Sequence, residues 1–178
     1  MIYPPSEDSY LLAEQVKKYA KNKSVIDMGS GSGIQAETAI KSGAKSVLAT
    51  DINDESISIL KSKGINAIKS NLFSKVKGSF DLIVFNPPYL PRDKREDKES
   101  AIATTGGKRG DEIIIRFLKQ AKSHLNKKGI VLIVISSLTP KNKIAELLKK
   151  QGMRRKIISS KKFFFETLEV WKIQIANK

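Results

Sequence analysis

Short apolar runs rich in β-branched residues alternate along this chain with stretches whose apolar positions recur every three to four residues. Ser24-Val25-Ile26-Asp27 and Ser46-Val47-Leu48-Ala49-Thr50 have the length and composition of buried parallel strands. A weaker strand is predicted at residues 65–68, a stronger one at Phe80-Asp81-Leu82-Ile83-Val84-Phe85, and another at residues 129–135. Helical spacing is predicted over residues 34–41 and over 55–63, which Gly64 closes. Ile113, Ile114, Phe117, Leu118, Ala121 and Leu125 make one amphipathic helix, and Pro140 opens another that runs through Ile144, Leu147 and Leu148 to a stop at Gly152. The tail, residues 154–175, reads as two strands around residues 161–165, an antiparallel pair. Strands alternating with helices specify an open α/β sheet with helices on both faces, and such sheets bind ligands beyond the carboxyl ends of their strands. Residues 91–105 break the pattern: polar, charge-dense and aperiodic, they read either as a mobile lid or as a plain loop.

Composition narrows the class. A chain of 178 residues suits one domain, residues 1–178, with a full core. The absence of cysteine excludes a disulfide scaffold, a cysteine nucleophile and a zinc site built from the chain's own thiolates. Lys+Arg of 33 against Asp+Glu of 18 leaves a net charge of +15. That excess favours acidic partners such as RNA or ribosome-associated protein, and fits equally a lysine-rich solvated surface of the heat-adapted kind. The opening residues, Met1 to Asp8, lack both the basic and the apolar stretch of a secretory signal, and the longest apolar run, residues 130–135, is too short for a bilayer. The expectation is a soluble, cytoplasmic protein with no membrane partner.

The candidate chemistry sits at predicted strand ends. Asp27-Met28-Gly29-Ser30-Gly31-Ser32-Gly33 follows the first strand and precedes a helix, where glycines let backbone amides approach a ligand. A dinucleotide fingerprint needs a third glycine where Ile34 stands, which argues against a nicotinamide cofactor. Asp51 ends the second strand about 20 residues beyond the glycines, placed to accept hydrogen bonds from ribose hydroxyls. Together these indicate an adenosine-containing ligand. The strongest signal is Asn86-Pro87-Pro88-Tyr89, directly after the fourth strand. Pro88 biases Pro87 toward an extended conformation, so the Pro87 carbonyl and the Asn86 side-chain oxygen form two acceptors on one stiff turn. Two acceptors match the two hydrogens of a planar NH₂ group, with the Tyr89 ring against its flat face.

At these residues the chain resembles the class I methyltransferases that use S-adenosylmethionine, and among them the HemK family of protein-glutamine methyltransferases, short archaeal and eukaryotic branch. The resemblance rests on Tyr3 to Ser9, Asp27 to Gly33, Thr50-Asp51-Ile52-Asn53, Asn71-Leu72, Asn86 to Tyr89, and Gly106-Gly107-Lys108-Arg109-Gly110. It implies a Rossmann-like class I methyltransferase fold: a mostly parallel seven-stranded sheet with one antiparallel strand and helices on both faces. It also implies S-adenosylmethionine as cofactor and S-adenosylhomocysteine as product, with the methyl group going to a glutamine amide in the Gly-Gly-Gln loop of a translation release factor. By position, Ser9, Asp27 and Gly29 would face the methionine end of the cofactor, with Gly31 beside them in the same turn. Asp51 and its neighbour Ile52 would face the ribose, Asn71 and Leu72 would flank the adenine, and Asn86, Pro87, Pro88 and Tyr89 would grip the substrate amide. The family usually carries an acid where Asn71 stands and often a glutamate where Asp27 stands. The relatives also imply a small zinc-binding activator protein that adds a strand at the edge formed by the third strand.

Methyl transfer from a sulfonium needs little acid or base work, so in-line placement and acceptors for the charge that develops on nitrogen suffice, and no metal is called for. His124, late in a predicted helix, reads as a helix-terminal surface residue. Phe163-Phe164-Phe165 reads as core and hairpin packing, and Lys141, Lys143, Lys149 and Lys150 as a solvated helix face. A nucleic-acid amino-group methyltransferase acting on adenine or guanine, a protein-lysine methyltransferase and an idle adaptor that keeps the cofactor remain as alternatives, with nucleic acid the less favoured partner.

Overall fold

The computed structural model describes residues 4–89 and 105–176. Helix α1 (Glu7–Tyr19) leads into β1 (Ser24–Met28), α2 (Ile34–Lys41), β2 (Ser46–Asp51), α3 (Asp54–Ser62), β3 (Ala67–Lys69) and β4 (Phe80–Phe85). After the segment outside the described residues come α4 (Glu112–Ala121), a 3-10 turn (Lys122–His124), β5 (Leu125–Ser136), α5 (Asn142–Lys150), β6 (Met153–Lys162) and β7 (Thr167–Ile175). All seven strands form one sheet in the order β3-β2-β1-β4-β5-β7-β6. Every neighbouring pair from β3 to β5 is parallel, whereas β7 runs antiparallel to both β5 and β6, so it is the single reversed strand expected from the resemblance.

The chain builds outward from β1 to β3 and then crosses to β4 on the other side of β1. That crossing opens a crevice beyond the carboxyl ends of β1 and β4, because the connections leaving these two strands diverge to opposite sides.

Period-two alternation in the central strands feeds two separate cores. Leu82, Val84, Leu132, Val134, Leu168 and Val170 point to one face and bury Leu12, Val16 and Ala20 of α1 with Ala39 of α2. Their alternates, Ile83, Phe85, Val131, Ile133, Ile135, Trp171 and Ile173, point to the other face against Ile114, Phe117 and Leu118 of α4 and Ile144 and Leu148 of α5. A smaller cluster of Ala36, Ala49, Ile57, Leu60, Ile65 and Ala67 seats α2 and α3 beneath β2 and β3.

Several boundaries differ from those read off the pattern. Helix α1 was not predicted, because three of its buried positions, Asp8, Ser9 and Gln15, are polar and dilute the apolar stripe of Leu12, Ala13 and Val16. The third strand lies at Ala67–Lys69 rather than 65–68, since Ile65 is used to close the α3 cluster. Leu125 belongs to β5, paired with Phe80, and the preceding helix ends at Ala121. His124 sits on the 3-10 turn with its ring stacked on Phe73 at 4.5 Å and its Nδ1 donating to the Gly78 carbonyl at 2.8 Å. Phe163 packs against the α1 core, but Phe164 and Phe165 do not: they are 91% and 84% exposed. Lys141 is not simply solvated, since it pairs with Glu169 at 3.2 Å beside the Trp171 ring.

Phe117 is fully buried, with its ring centroid 4.6 Å from Phe85 and 5.6 Å from Phe73. Truncation there leaves a cavity under the end of β4. Phe117→Ala is expected to lower the unfolding free energy by about 3–5 kcal/mol, measured from the denaturant midpoint; a loss below about 1 kcal/mol would mean that this face is loosely packed.

Candidate active site

Four strand ends open into one cleft of about 730 Å³, within the range typical of small-molecule sites. At the end of β1 the chain turns sharply through Gly29 (φ +61°), and a Cβ there would also meet the Phe85 ring at 3.4 Å. The turn is tied to β2 by Ser30 N–H donating to Thr50 O at 2.8 Å. Beneath it Asp27 is buried and accepts hydrogen bonds from the Ser30 hydroxyl and from Ala36 N–H, locking the turn to the first residues of α2. Burial pushes its carboxyl up to about 7; the two hydrogen bonds oppose that, and the nearby Asp51 charge adds to it. Asp27 thus serves the turn as well as lining the cleft.

Asp51 closes β2. One carboxylate oxygen accepts Gly31 N–H at 2.8 Å and the other Asn53 N–H at 2.9 Å, so both are oriented while the residue stays half-exposed. Helix α3 is capped by the Asn53 side chain, which accepts Glu55 N–H at 2.9 Å, leaving Asp51 free of that task. Ile52, half-exposed, lines the cleft next to it. Beyond β3, Asn71 and Leu72 form another wall, and the Asn71 amide oxygen accepts from Arg116 of α4 at 3.3 Å. That oxygen is therefore already engaged within the fold.

The end of β4 is the most constrained part. Asn86 Nδ2 donates to Asp8 Oδ2 at 3.1 Å, and the Tyr89 hydroxyl donates to the same oxygen at 3.4 Å. The other Asp8 oxygen accepts Ser9 N–H at 2.7 Å and the Ser9 hydroxyl at 3.2 Å, while Ser9 Oγ accepts from Ser6 N–H at 3.3 Å. Gln35 of α2 then holds the Ser9 carbonyl at 2.9 Å. With its nitrogen committed to a carboxylate, the Asn86 amide presents its oxygen elsewhere, and that oxygen is buried with no donor among the described residues. A buried acceptor left in this state costs about 1–3 kcal/mol until a donor arrives.

Every residue singled out from the sequence, from Ser9 through Tyr89, lines this single cleft. Three contributors were missed. Asp8 stood inside a quoted motif without a role, although Ser6 followed by the acidic pair Glu7 and Asp8 is a helix-start signal that could have placed it. Arg116 faces Asn71 only because α4 folds back over the sheet. Gly106 was quoted only as part of a motif. It lets the segment before α4 approach the substrate corner, for a Cβ there would lie 2.6 Å from the Pro88 carbonyl and 2.4 Å from that of Gly110. The lid reading of residues 91–105 lies outside the described residues except for Thr105, which lines the cleft.

Chemically, the site combines a glycine turn, a half-exposed carboxylate at a strand end and, beside an aromatic ring, an amide oxygen with no donor among the described residues. The Methyltransferase small domain family model matches residues 7–165. A candidate protein N5-glutamine methyltransferase from Methanocaldococcus jannaschii is 38% identical over 177 residues, spanning 95% of this chain and 89% of that one. Methyltransferase HEMK2 of Homo sapiens is 28% identical over 189 residues, spanning 96% and 88%. Among solved structures, the E. cuniculi Mtq2–Trm112 complex, described as responsible for methylation of the eRF1 translation termination factor, aligns with a TM-score of 0.81 at 25% identity, covering 98% of this chain and 99% of that one. Matched by the family model over most of its length, and similar to one relative across nearly the whole of both chains, the chain belongs to the methyltransferase small domain family.

Proposed function

We propose that this methyltransferase moves a methyl group from S-adenosylmethionine to the side-chain amide nitrogen of a glutamine in a translation release factor. The observation that carries the reading is the Asn86 oxygen, a buried acceptor at a strand end with no donor among the described residues, on an amide that Asp8 prevents from presenting its nitrogen. A primary amide supplies the missing donor. The relatives named above carry the names of a methyltransferase and a candidate N5-glutamine methyltransferase, and their similarity extends along nearly the whole chain.

The residues present fit the cofactor. Ser9, Asp27, Gly29 and Gly31 would hold its methionine end, Asp51 and Ile52 the ribose, Asn71 and Leu72 the adenine, with Asn86 where the cofactor and substrate parts of the cleft meet. When bound, S-adenosylmethionine supplies a methyl group already activated as part of a sulfonium. The chain's own work is placement. Asn86 Oδ1 accepts one hydrogen of the substrate NH₂, the Pro87 carbonyl accepts the other, Pro88 stiffens the turn, and the Tyr89 ring lies against the amide plane. An amide nitrogen is a poor nucleophile, and both acceptors stabilise the positive charge that grows on it more in the transition state than before. The proton then leaves to water. Asp8 acts through Asn86, holding its acceptor orientation.

The reading includes a partner. Strand β3 is only three residues long and forms one edge of the sheet, an opening for strand addition by a small activator protein. The solved complex above pairs Mtq2 with Trm112, and we extend that arrangement, with a zinc-binding activator, to this chain. No helix among the described residues is long and apolar enough to cross a membrane, and a cytoplasmic site of action fits a translation-factor substrate.

Incorporation of radiolabelled methyl from S-adenosylmethionine should appear in purified release factor and be absent from one carrying alanine in place of its Gly-Gly-Gln glutamine. Label appearing instead in duplex DNA, ribosomal RNA or lysine side chains would overturn the substrate assignment. Asn86→Ala should bind S-adenosylhomocysteine as the wild type does yet lose transfer by about 100-fold or more. Asp8→Asn, which replaces a charge-assisted hydrogen bond by a neutral one, should lower kcat by roughly tenfold with cofactor affinity unchanged. Normal turnover in both variants would remove the amide grip. The ammonium of the cofactor favours ionised Asp27, whose carboxyl titrates at about 7 in the free protein under burial and the Asp51 charge. Binding of S-adenosylhomocysteine should therefore be tightest above that pH and weaken as pH falls through it, by up to about tenfold per pH unit. Calorimetry at pH 6 and pH 8 should find this dependence in the wild type and none in Asp27→Asn.

A further inference from the structure

Two phenylalanines stand in water at the tip of the β6–β7 hairpin. Phe164 and Phe165 are the most exposed large apolar side chains among the described residues, and their rings meet edge to face with centroids 4.5 Å apart. The third member of the run, Phe163, packs against the α1 core and anchors the turn, whose closure is a Phe163 N–H to Glu166 O hydrogen bond of 2.7 Å. The tip is therefore a held structure that presents two rings outward. Isolated exposed apolar residues are ordinary; two adjacent rings held together in solvent at the end of a paired strand are less so.

Its location ties it to the cleft. Because β7 alone is reversed, β6 ends on the same side of the sheet as β1, β2 and β4. Lys161, near the end of β6, pairs with Glu7, the first residue of α1. Glu7 adjoins Asp8, which holds Asn86 and Tyr89. At the base of the hairpin, Glu166 accepts from the Ser136 hydroxyl at the end of β5 at 2.6 Å. The aromatic pair thus stands at the same end of the sheet as the cleft, its hairpin tied to the start of α1 by Lys161–Glu7 and to the end of β5 by Glu166.

Charge selects the occupant. Lys161 pairs with Glu7, so on a chain of +15 the cation next to the rings is already engaged by a carboxylate. A nucleic-acid surface needs unbalanced cations against phosphates and ring faces open to bases, whereas here the edge of one ring occupies the face of the other. Two side chains are also far too small an area to hold a stable dimer. We propose that Phe164 and Phe165 dock into an apolar depression on the folded protein substrate, beside the segment that delivers the glutamine. This rests on the release-factor reading above, and gives that substrate a second contact which a short peptide lacks.

The double variant Phe164→Ser/Phe165→Ser removes the pair without touching the cleft. With whole release factor its KM should rise by about tenfold or more while kcat holds. Transfer to a short Gly-Gly-Gln peptide and S-adenosylhomocysteine affinity should match the wild type. Phe164→Leu/Phe165→Leu should recover most of the KM. A wild type active on the factor with an unchanged double variant overturns the docking alone, as does equal loss on factor and peptide. A wild type inactive on every release factor overturns the reading and the docking together. Light scattering in which the wild type forms a dimer that the variant lacks, or wild-type binding to phosphatidylserine vesicles that the variant loses, would reassign the tip to self-association or to a lipid surface and overturn the proposal.

Discussion

Asp8 and Asn86 are separated by 78 positions in sequence and meet at 3.1 Å inside the fold. An asparagine amide offers a donor and an acceptor at its two ends and can present either to a ligand. A carboxylate has only acceptors to give at neutral pH, so once it takes the amide nitrogen the oxygen must face away. The rest of the site follows from this: a single oriented oxygen in a dry place, beside a tyrosine held by the same carboxylate. Among the described residues that oxygen has no donor, which leaves it open to a partner that brings one.

Keeping Asp8 there requires a helix whose buried face is partly polar. Ser9 and Gln35 complete the network, and the capping interactions at Ser6 fix where α1 begins. On the opposite side of the sheet Phe117 backs Phe85, the residue directly before Asn86. The substrate corner is thus clamped between a polar network on one face and an aromatic stack on the other. Both bear on β4 and the residues that leave it.

The cofactor half of the cleft is governed by backbone geometry. The glycine turn lies over Asp27 and is stitched to β2 through Ser30 and to Asp51 through Gly31. Its shape therefore depends on two carboxylates of opposite character: one buried and inclined to hold a proton, the other half-exposed and oriented by two amides.

The sequence by itself determined the α/β class, the strand ends that carry the chemistry and the residues that line the cleft, because apolar periodicity and local motifs are properties of neighbouring residues. Gly29, Asp51 and Asn86 could each be assigned a place at a strand end from residues within a few positions of them. Helix α1 escaped that reading, since its buried Asp8, Ser9 and Gln15 look like surface until their partners are known. Likewise Phe164 and Phe165 read as core and hairpin packing, and only the pairing of β6 with β7 placed them in solvent at the hairpin tip. The orientation of the Asn86 amide, the engagement of the Asn71 oxygen by Arg116 and the raised carboxyl of Asp27 belong to tertiary structure alone. Each depends on a contact or a degree of burial set by chain segments distant in sequence, and no local pattern encodes which carboxylate will face which amide.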